Sequence, residues 1–516
     1  MRLNYSRSTF VLAVFFLTAC LGQPAPPSAT PPISVQPDPI ESPTQKTSAG
    51  SPTLAPSTSF STPVATPSPE ADDVSLDPSS TESNSNTRYQ LTAELNYGLH
   101  LLTVEERIFF TNSFSEAIPD LLLLVEPSRY PSAFHLKSLS WGDETPVDTY
   151  RQDIGQIHLP LRQPIQPGES VALSISYELN LPSPDPSFYG RPVPFGYTPV
   201  QTNLVDWYPF LPPYQPGRGW WANQAGPFGE HLVYENADFE VSIRLLDERD
   251  DLVVAASAPA NVDGEWLRYT YPAARNFVWS VSHQYILSTR QVGTVTVNAY
   301  SFPIHTAAGE SALQTTAEAL AVYNRLFGEY PRDLLSVVEA DFLDGMEYDG
   351  LYFLSKGFYN LYSGTPAEYL TAIAAHETAH QWWYAQVGND QAIEPWLDEA
   401  LCTYSERLYY ENVHPEALAW WQQYRIDYYE PNGWVDGTIY NPEGYRAYRD
   451  AVYLNGEVFL EELRGMIGDQ SFLAFLKNYA QENRGKIATA DDFFVLLDMY
   501  SNSDLTPLLD KYFSKR

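Results

Sequence analysis

His376-Glu377-Thr378-Ala379-His380 lies within a longer run, Thr365 to Glu406, whose pattern predicts two neighbouring helices. Positions i and i+4 of a helix share one face, so the two histidines can present their imidazole nitrogens to a single metal ion. We expect the first helix to begin at a capping box formed by Thr365 and Glu368 and to end before Gly388. The sequence therefore predicts a metal site built on a helix.

Glu399 follows His380 after a spacer of eighteen residues, in a predicted second helix that opens at Pro395. A catalytic zinc commonly takes two histidines and one glutamate and leaves a fourth position for water. We therefore expect His376, His380 and Glu399 to bind one Zn²⁺ ion, and Glu377 to act as the general base. The alternative for the pentapeptide alone is a solvent-exposed helix face that carries two histidines by chance.

Glu399 belongs to a second element, Trp396-Leu397-Asp398-Glu399-Ala400. The two elements and their spacing resemble the aminopeptidase N family of gluzincin zinc metallopeptidases, whose pattern is H-E-x-x-H, eighteen residues, then W-L-N-E-G. Asp398 and Ala400 depart from that pattern, but neither occupies a ligand position. The resemblance implies a multidomain fold, in which an N-terminal all-β sandwich domain precedes a mainly helical, thermolysin-like α+β catalytic domain.

A further element, Tyr453-Leu454-Asn455-Gly456, resembles the family's tyrosine followed by x-K-G, with Asn455 in place of the lysine. The resemblance implies that the Tyr453 phenol stabilises the oxyanion that forms during peptide hydrolysis. A packed aromatic side chain is the alternative for Tyr453, and Tyr448 is the second candidate for the role.

The segment Asp344-Gly345-Met346-Glu347-Tyr348 resembles the family's G-x-M-E-N element. The resemblance implies that Glu347 binds the free α-amine of the substrate. Gly345, next to a predicted strand, can hydrogen-bond the substrate backbone. The alternative for Glu347 is a solvated turn residue.

Two further residues are candidates on slighter grounds. A loose likeness of Thr198-Pro199-Val200-Gln201 to a T-Q element of the family suggests Gln201 as a second amine contact. Glu406 stands seven residues beyond Glu399, so the two share a helix face, and Glu406 is predicted to orient a ligand histidine. A solvated surface carboxylate is the alternative for Glu406.

The N-terminus reads as a lipoprotein signal peptide over residues 1–20. Arg2 and Arg7 supply the positive segment, a short apolar run follows, and Leu17-Thr18-Ala19-Cys20 forms the cleavage box. We expect Cys20 to be lipidated, which predicts an extracytoplasmic protein anchored by lipid to a bacterial membrane surface. An ordinary secretory signal with an accidental cysteine is the alternative.

Composition predicts the domains. Residues 21–88 are rich in Pro, Ser and Thr and form a disordered linker, because they cannot bury enough apolar surface to offset their conformational entropy. Residues 89–292 show short alternating runs between turn residues, which predicts an all-β domain, and residues 293–516 carry helical patterns. Many members of the family continue into a helical C-terminal domain, for which we expect no room here.

The formal net charge of −34 argues against nucleic acid as a partner. Of the two cysteines, Cys20 is expected to be lipidated, so no disulfide framework is expected. Cys402 is predicted to be a buried apolar residue.

These observations predict a zinc metallopeptidase, specifically an aminopeptidase acting on peptides with a free N-terminus. Two alternatives remain open. One is a zinc endopeptidase or another zinc hydrolase on the same site. The other is a lipid-anchored, non-catalytic binding protein on a peptidase scaffold.

Overall fold

A computed structural model describes residues 85–183, 194–342 and 345–515 of the chain. The predicted signal peptide, the lipidation site Cys20 and all but the last residues of the predicted linker lie outside these ranges. The described part begins with a strand at Thr87, at the predicted end of the linker.

The N-terminal domain is built from β-strands, as the alternating sequence pattern predicts. In β1, residues alternate between buried and more exposed positions along the strand, so that one face packs into the core. The main sheet has the order β14-β15-β12-β1-β2-β7-β4, and smaller sheets, β3-β6-β5, β13-β16-β9-β8 and β10-β11, accompany it. The strands are β1 (Thr87–Asn96), β2 (Leu101–Thr111), β3 (Ile118–Val125), β4 (Phe134–Trp141), β5 (Arg151–Asp153), β6 (Gly155–Ile165), β7 (Ser170–Asn180), β8 (Gly196–Tyr197), β9 (Thr202–Leu204), β10 (Tyr214–Gln215), β11 (Gly219–Trp220), β12 (Ala237–Leu245), β13 (Val253–Ala256), β14 (Asn261–Asp263), β15 (Trp266–Ala274) and β16 (Trp279–Ser282).

The C-terminal domain opens with a five-stranded sheet in the order β17-β18-β19-β21-β20. β19 runs parallel to β18 and β21, and all seven of its residues are buried, as is usual for a strand covered on both faces. β20 is antiparallel to β21 and lies at the edge of this sheet. The strands are β17 (Ile286–Val292), β18 (Val295–Ser301), β19 (Leu334–Ala340), β20 (Gly345–Tyr348) and β21 (Leu351–Ser355).

The remainder of the C-terminal domain is helical. A long buried helix, α1, packs against the sheet, and α3 and α4 lie beside it. The helices are α1 (Thr306–Phe327), α2 (Lys356–Asn360), α3 (Tyr369–Ala379), α4 (Trp396–Val413), α5 (Leu418–Trp421), α6 (Tyr445–Arg449), α7 (Asn455–Ile467), α8 (Asp469–Glu482), α9 (Ala490–Asp498) and α10 (Thr506–Tyr512). A short π-helical turn, Asp450–Leu454, connects α6 to α7.

The domain boundary differs from the prediction. β17 lies inside the range 89–292 that we assigned to the β domain, yet it pairs with β18 over its whole length. The C-terminal domain therefore includes the residues from Ile286 onward. An alternating strand pattern cannot show which sheet a strand joins, because pairing depends on partners distant in sequence.

The ends of α3 also differ from the prediction. The helix begins at Tyr369, and the Glu368 side chain does not cap it, because its carboxylate accepts hydrogen bonds from Ser363 N and Oγ, both at 2.6 Å. The helix ends at Ala379, well before Gly388. Gly388 serves a different purpose, since a Cβ there would come within 2.7 Å of the Arg275 guanidinium.

Cys402 is fully buried on α4, as predicted, and burial raises the pKa of its thiol. Among the described residues, no helix has both the length and the hydropathy needed to cross a bilayer.

Candidate active site

The three predicted zinc ligands meet where α3 faces α4. His376 Nε2 lies 3.2 Å and His380 Nε2 lies 3.6 Å from the same oxygen, Glu399 Oε2. One donor atom from each residue lies within 4.8 Å of the other two. Tetrahedral zinc with bonds of about 2.1 Å holds its donor atoms roughly 3.4 Å apart, so this spacing fits the ion.

Hydrogen bonds behind the histidines orient their rings. His376 Nδ1 donates to Glu406 Oε1 at 2.9 Å, and His380 Nδ1 donates to Trp383 O at 3.0 Å. Because Nδ1 donates to another partner in both rings, Nε2 is the nitrogen that faces Glu399 and that would bind a metal. Glu406 is thus buried behind the ligands.

The electrostatics of the cluster favour a cation at its centre. Burial by itself lowers the pKa of His376, but hydrogen bonds with Glu399 and Glu406 outweigh burial and raise this pKa to about 9. Burial opposes ionisation of Glu399, yet hydrogen bonds with the two histidines hold its pKa well below the ordinary value. A metal ion would take the place of the proton that the histidine otherwise holds.

Glu377 points into the cleft from the same turn of α3. Its Oε2 is buried and has no hydrogen-bond partner among the described residues. A buried, unpartnered carboxylate oxygen is costly, and water held beside a metal would satisfy it. Gly345 on β20 makes room for this side chain, because a Cβ at that position would lie 1.9 Å from Glu377 Oε1.

Tyr453 reaches the site from the π-helical turn. Its hydroxyl donates to Glu399 Oε1 at 2.6 Å, and its ring lies parallel to that of His376 with the centroids 6.1 Å apart. Tyr448 packs behind Tyr453, with the two ring centroids 5.8 Å apart, and is 1% exposed. Of the two tyrosines named from the sequence, Tyr453 is the one that lines the cleft.

Glu347 on β20 is buried and lines the same cleft. Gln391 Nε2 donates to Glu347 Oε1 at 2.8 Å and to Asp398 Oδ2 at 2.9 Å, which ties the strand to the start of α4. A carboxylate from the N-terminal domain, Glu230, comes within 4.8 Å of Glu347 and of the ligand Glu399. The cleft has a volume of about 450 Å³.

Gln201 lies elsewhere. It is fully buried, and its amide donates to Tyr285 Oη at 2.5 Å and to Glu339 O at 3.1 Å, while it accepts from Asp341 N at 2.8 Å. These bonds connect strand β19 to the β domain, so the hydrogen-bonding groups of the amide have partners within the protein. The structure therefore does not bring Gln201 to the cleft with Glu347. The prediction failed because the likeness to the T-Q element was too loose to show which loop approaches the ligands.

Some residues of the site were not found from the sequence. Glu230 stands on the long loop between β11 and β12, where no periodic pattern indicates its direction. The loop is held in place by Asp390, which accepts hydrogen bonds from Trp221 Nε1 and Asn223 Nδ2, both at 2.8 Å. Arg425 donates to Glu406 at 2.8 and 2.9 Å from a segment that carried no motif. A signal was present only for Glu230, as a glutamate after a Gly-Pro-Phe-Gly turn.

Comparison with known proteins points to one family. Residues 311–512 match the model described as the Peptidase family M1 domain. Aminopeptidase N of Haemophilus influenzae is 26% identical over 195 residues, which cover 34% of this chain and 22% of that protein. Aminopeptidase M1-D of Oryza sativa subsp. japonica is 24% identical over 224 residues, which cover 40% of this chain and 26% of that protein. The match thus spans about a quarter of the length of these curated relatives.

Solved structures resemble the chain over most of its length. An M1 zinc metallopeptidase from Deinococcus radiodurans has a TM-score of 0.58 at 19% sequence identity and covers 83% of this chain and 93% of its own. A two-domain M1 zinc metallopeptidase mutant bound to L-arginine has a TM-score of 0.61 at 19% identity, with 84% and 95% covered. At these identities the likeness shows the fold, a β domain followed by a helical domain. Taken with the matched family model, it identifies residues 311–512 as a Peptidase family M1 domain, that of the aminopeptidase N family of gluzincin zinc metallopeptidases, whose metal is zinc.

Proposed function

We propose that this protein is an aminopeptidase that hydrolyses the N-terminal peptide bond of peptides. The observation that carries the proposal is the meeting of two further carboxylates with the zinc ligand Glu399, since oxygens of Glu230, Glu347 and Glu399 lie within 4.8 Å of one another. Carboxylates this close repel one another, so the arrangement favours a cationic group among them. The free α-amine of a peptide is such a group, and an internal peptide bond has none.

The residues of the cleft support a mechanism for the reaction. Bound zinc supplies Lewis-acid chemistry, which activates water and draws electron density from the peptide carbonyl. Glu377 accepts a proton from the attacking water and delivers it to the leaving amine, for which its unpartnered Oε2 is available. The Tyr453 hydroxyl, whose bond to Glu399 leaves its oxygen in the cleft, turns to donate to the oxyanion. Glu230 and Glu347 hold the ammonium group, which places the first peptide bond beside Glu377.

The proposal includes the cellular setting. The lipoprotein signal and the Pro/Ser/Thr-rich residues 21–88 support a catalytic unit tethered outside the cytoplasm by lipid on Cys20. Peptides with a free N-terminus that reach the membrane surface are then its substrates. Metabolic labelling with a fatty acid tests this part, because Cys20→Ser should abolish incorporation of the label.

The catalytic proposal is tested by one variant and one pair of substrates. Glu377→Gln keeps the size of the side chain but removes the base. We therefore expect zinc content to stay at one ion per chain while kcat/KM falls by about 10²- to 10⁴-fold. The wild-type enzyme should cleave a fluorogenic peptide with a free amine and spare its N-acetylated counterpart. Cleavage of both peptides at equal rates would indicate an endopeptidase. Zinc-free, folded and inactive wild-type protein would indicate a binding protein.

A further inference from the structure

A second cavity, of about 210 Å³, continues from the cleft between the two domains. The two spaces share a set of lining residues around the proposed amine site, so one opens into the other at that point. The shared residues are Pro227, Gly229, Glu230, Met346 and Glu347. We call this space the inner cavity. Nothing in the reaction described above uses it.

The position of the inner cavity relates it to one part of a substrate. This step rests on the proposed function, in which Glu230 and Glu347 hold the α-amine. The carbon that carries the amine also carries the first side chain, while the scissile carbonyl turns towards the zinc ligands. The first side chain is therefore the substrate group that stands at the mouth of the inner cavity.

The inner cavity has aromatic walls and a charged lining. Four tyrosines line it together with four acidic or basic side chains that the cleft does not share, Glu126, Arg129, Asp206 and His231. Glu126 is already paired, because Arg129 Nε donates to it at 2.8 Å and His231 Nε2 lies 3.4 Å away. The tyrosines are Tyr130, Tyr234, Tyr348 and Tyr384.

Asp206 differs from Glu126 in having no arginine paired with it among the described residues. Its Oδ1 accepts a short hydrogen bond from the Tyr234 hydroxyl, and His231 is the basic side chain whose charge acts on it. Burial raises the pKa of Asp206 to about 7, and the nearby charge of Glu126 acts in the same direction. A cation placed beside Asp206 would restore its charged form.

We propose that the inner cavity receives the side chain of the substrate's first residue, and that Asp206 makes it select lysine or arginine. The apolar stem of either side chain packs against the tyrosine walls, and its charged end meets the carboxylate. A guanidinium can form two parallel hydrogen bonds with a carboxylate, whereas citrulline, which has nearly the same shape, is neutral.

The test compares aminoacyl-coumarin substrates that carry arginine, lysine, citrulline or leucine. The wild-type enzyme should prefer arginine over citrulline at least tenfold in kcat/KM. Asp206→Asn should reduce kcat/KM for arginine and lysine at least tenfold and leave citrulline and leucine within twofold. Asparagine suits the position because Asp206 has φ 48°, a left-handed conformation that asparagine also adopts. Asp120→Asn is the matched control, since Asp120 is a hydrogen-bonded carboxylate of the same domain outside the inner cavity.

The outcomes separate this inference from the proposed function. Equal rates for arginine and citrulline with the wild-type enzyme overturn the specificity of the inner cavity but leave aminopeptidase activity intact. A uniform loss on all four substrates in Asp206→Asn also overturns it, because a structural role would affect every substrate alike. Failure of the wild-type enzyme to cleave any of the four substrates, with zinc bound, overturns both proposals. If Asp206→Asn does not fold, the ratio for the wild-type enzyme alone decides.

Discussion

The carboxylate of Glu406 accepts hydrogen bonds from three buried side chains: His376 Nδ1 at 2.9 Å, Trp421 Nε1 at 2.8 Å, and Arg425 at 2.8 and 2.9 Å. Glu406→Gln would place an NH₂ group against at least one of these donors and remove the charge that faces Arg425. The His376 ring would then lose its fixed orientation. Because partners behind metal ligands typically contribute 10- to 100-fold to affinity, we expect zinc affinity to fall by about that factor, measured by competition with a chelator.

Glu411→Gln is the control for this prediction. Glu411 lies on the same helix and accepts hydrogen bonds from Arg407 at 2.9 Å and Arg464 at 2.9 Å, but it does not contact a ligand. Zinc affinity should be unchanged in this variant. Equal affinities of Glu406→Gln and the wild-type protein would show that Glu406 only stabilises the fold.

Residues on a regular helix were predictable, and residues on loops were not. The separation of four residues between His376 and His380, and of seven between Glu399 and Glu406, places each pair on one helix face, so their convergence follows from helix geometry. Glu230 reaches the same site from a loop whose path depends on contacts with the other domain. No local pattern encodes such a path, which is why the sequence analysis named only Glu347 of the two carboxylates in the proposed amine site.

At the scale of elements, α4 and α7 approach closely where Ala400 meets Gly456. A Cβ at Gly456 would lie 2.5 Å from the Ala400 Cβ, so Gly456→Ala must push the two helices apart. Such overpacking typically costs about 1–3 kcal/mol of stability. Because Tyr453 precedes α7 by one short turn, we also expect kcat to fall while zinc stays bound. Thermal unfolding and steady-state kinetics measure the two effects.

Gly465→Ala on the same helix is the matched control. A Cβ at this position would meet nothing within 4 Å, and replacing a helical glycine by alanine stabilises a helix by roughly 0.5–1 kcal/mol. This variant should be slightly more stable than the wild type and equally active. A Gly456→Ala variant with the same gain would contradict the close packing of α4 and α7.

The type and order of elements were largely predictable, and their ends were not. The strands that the alternating pattern predicts for the N-terminal domain and the helices predicted for the C-terminal domain are both present. The start of α3 failed because the Glu368 carboxylate binds Ser363 instead of closing a capping box. Capping residues have several possible partners, and tertiary packing decides among them.

At the scale of the whole molecule, Arg275 joins the two domains. It follows β15 of the N-terminal domain, is 2% exposed, and its guanidinium donates to backbone carbonyls of both domains. Burial lowers its pKa to about 10, so it stays charged at neutral pH. The carbonyls belong to Tyr234, Tyr384, Ala385, Gln386 and Lys486, at distances between 2.6 and 3.4 Å.

Removing this side chain should uncouple the domains. In Arg275→Ala the carbonyls lose a charged donor, and because hydrogen bonds to charged groups contribute about 1.5–3 kcal/mol each, we expect a loss of roughly 3–5 kcal/mol. Calorimetry should show the wild-type protein unfolding in one transition and Arg275→Ala in two, the first at lower temperature. Arg268→Ala is the control, since Arg268 is an exposed residue of β15 that pairs with Asp263 at 2.7 Å, and surface pairs contribute little.

The cleft lies where the domains meet, so aminopeptidase activity should disappear with the first transition. Activity that survives until the second transition would mean that the C-terminal domain alone holds the substrate, which would contradict the role given to Glu230.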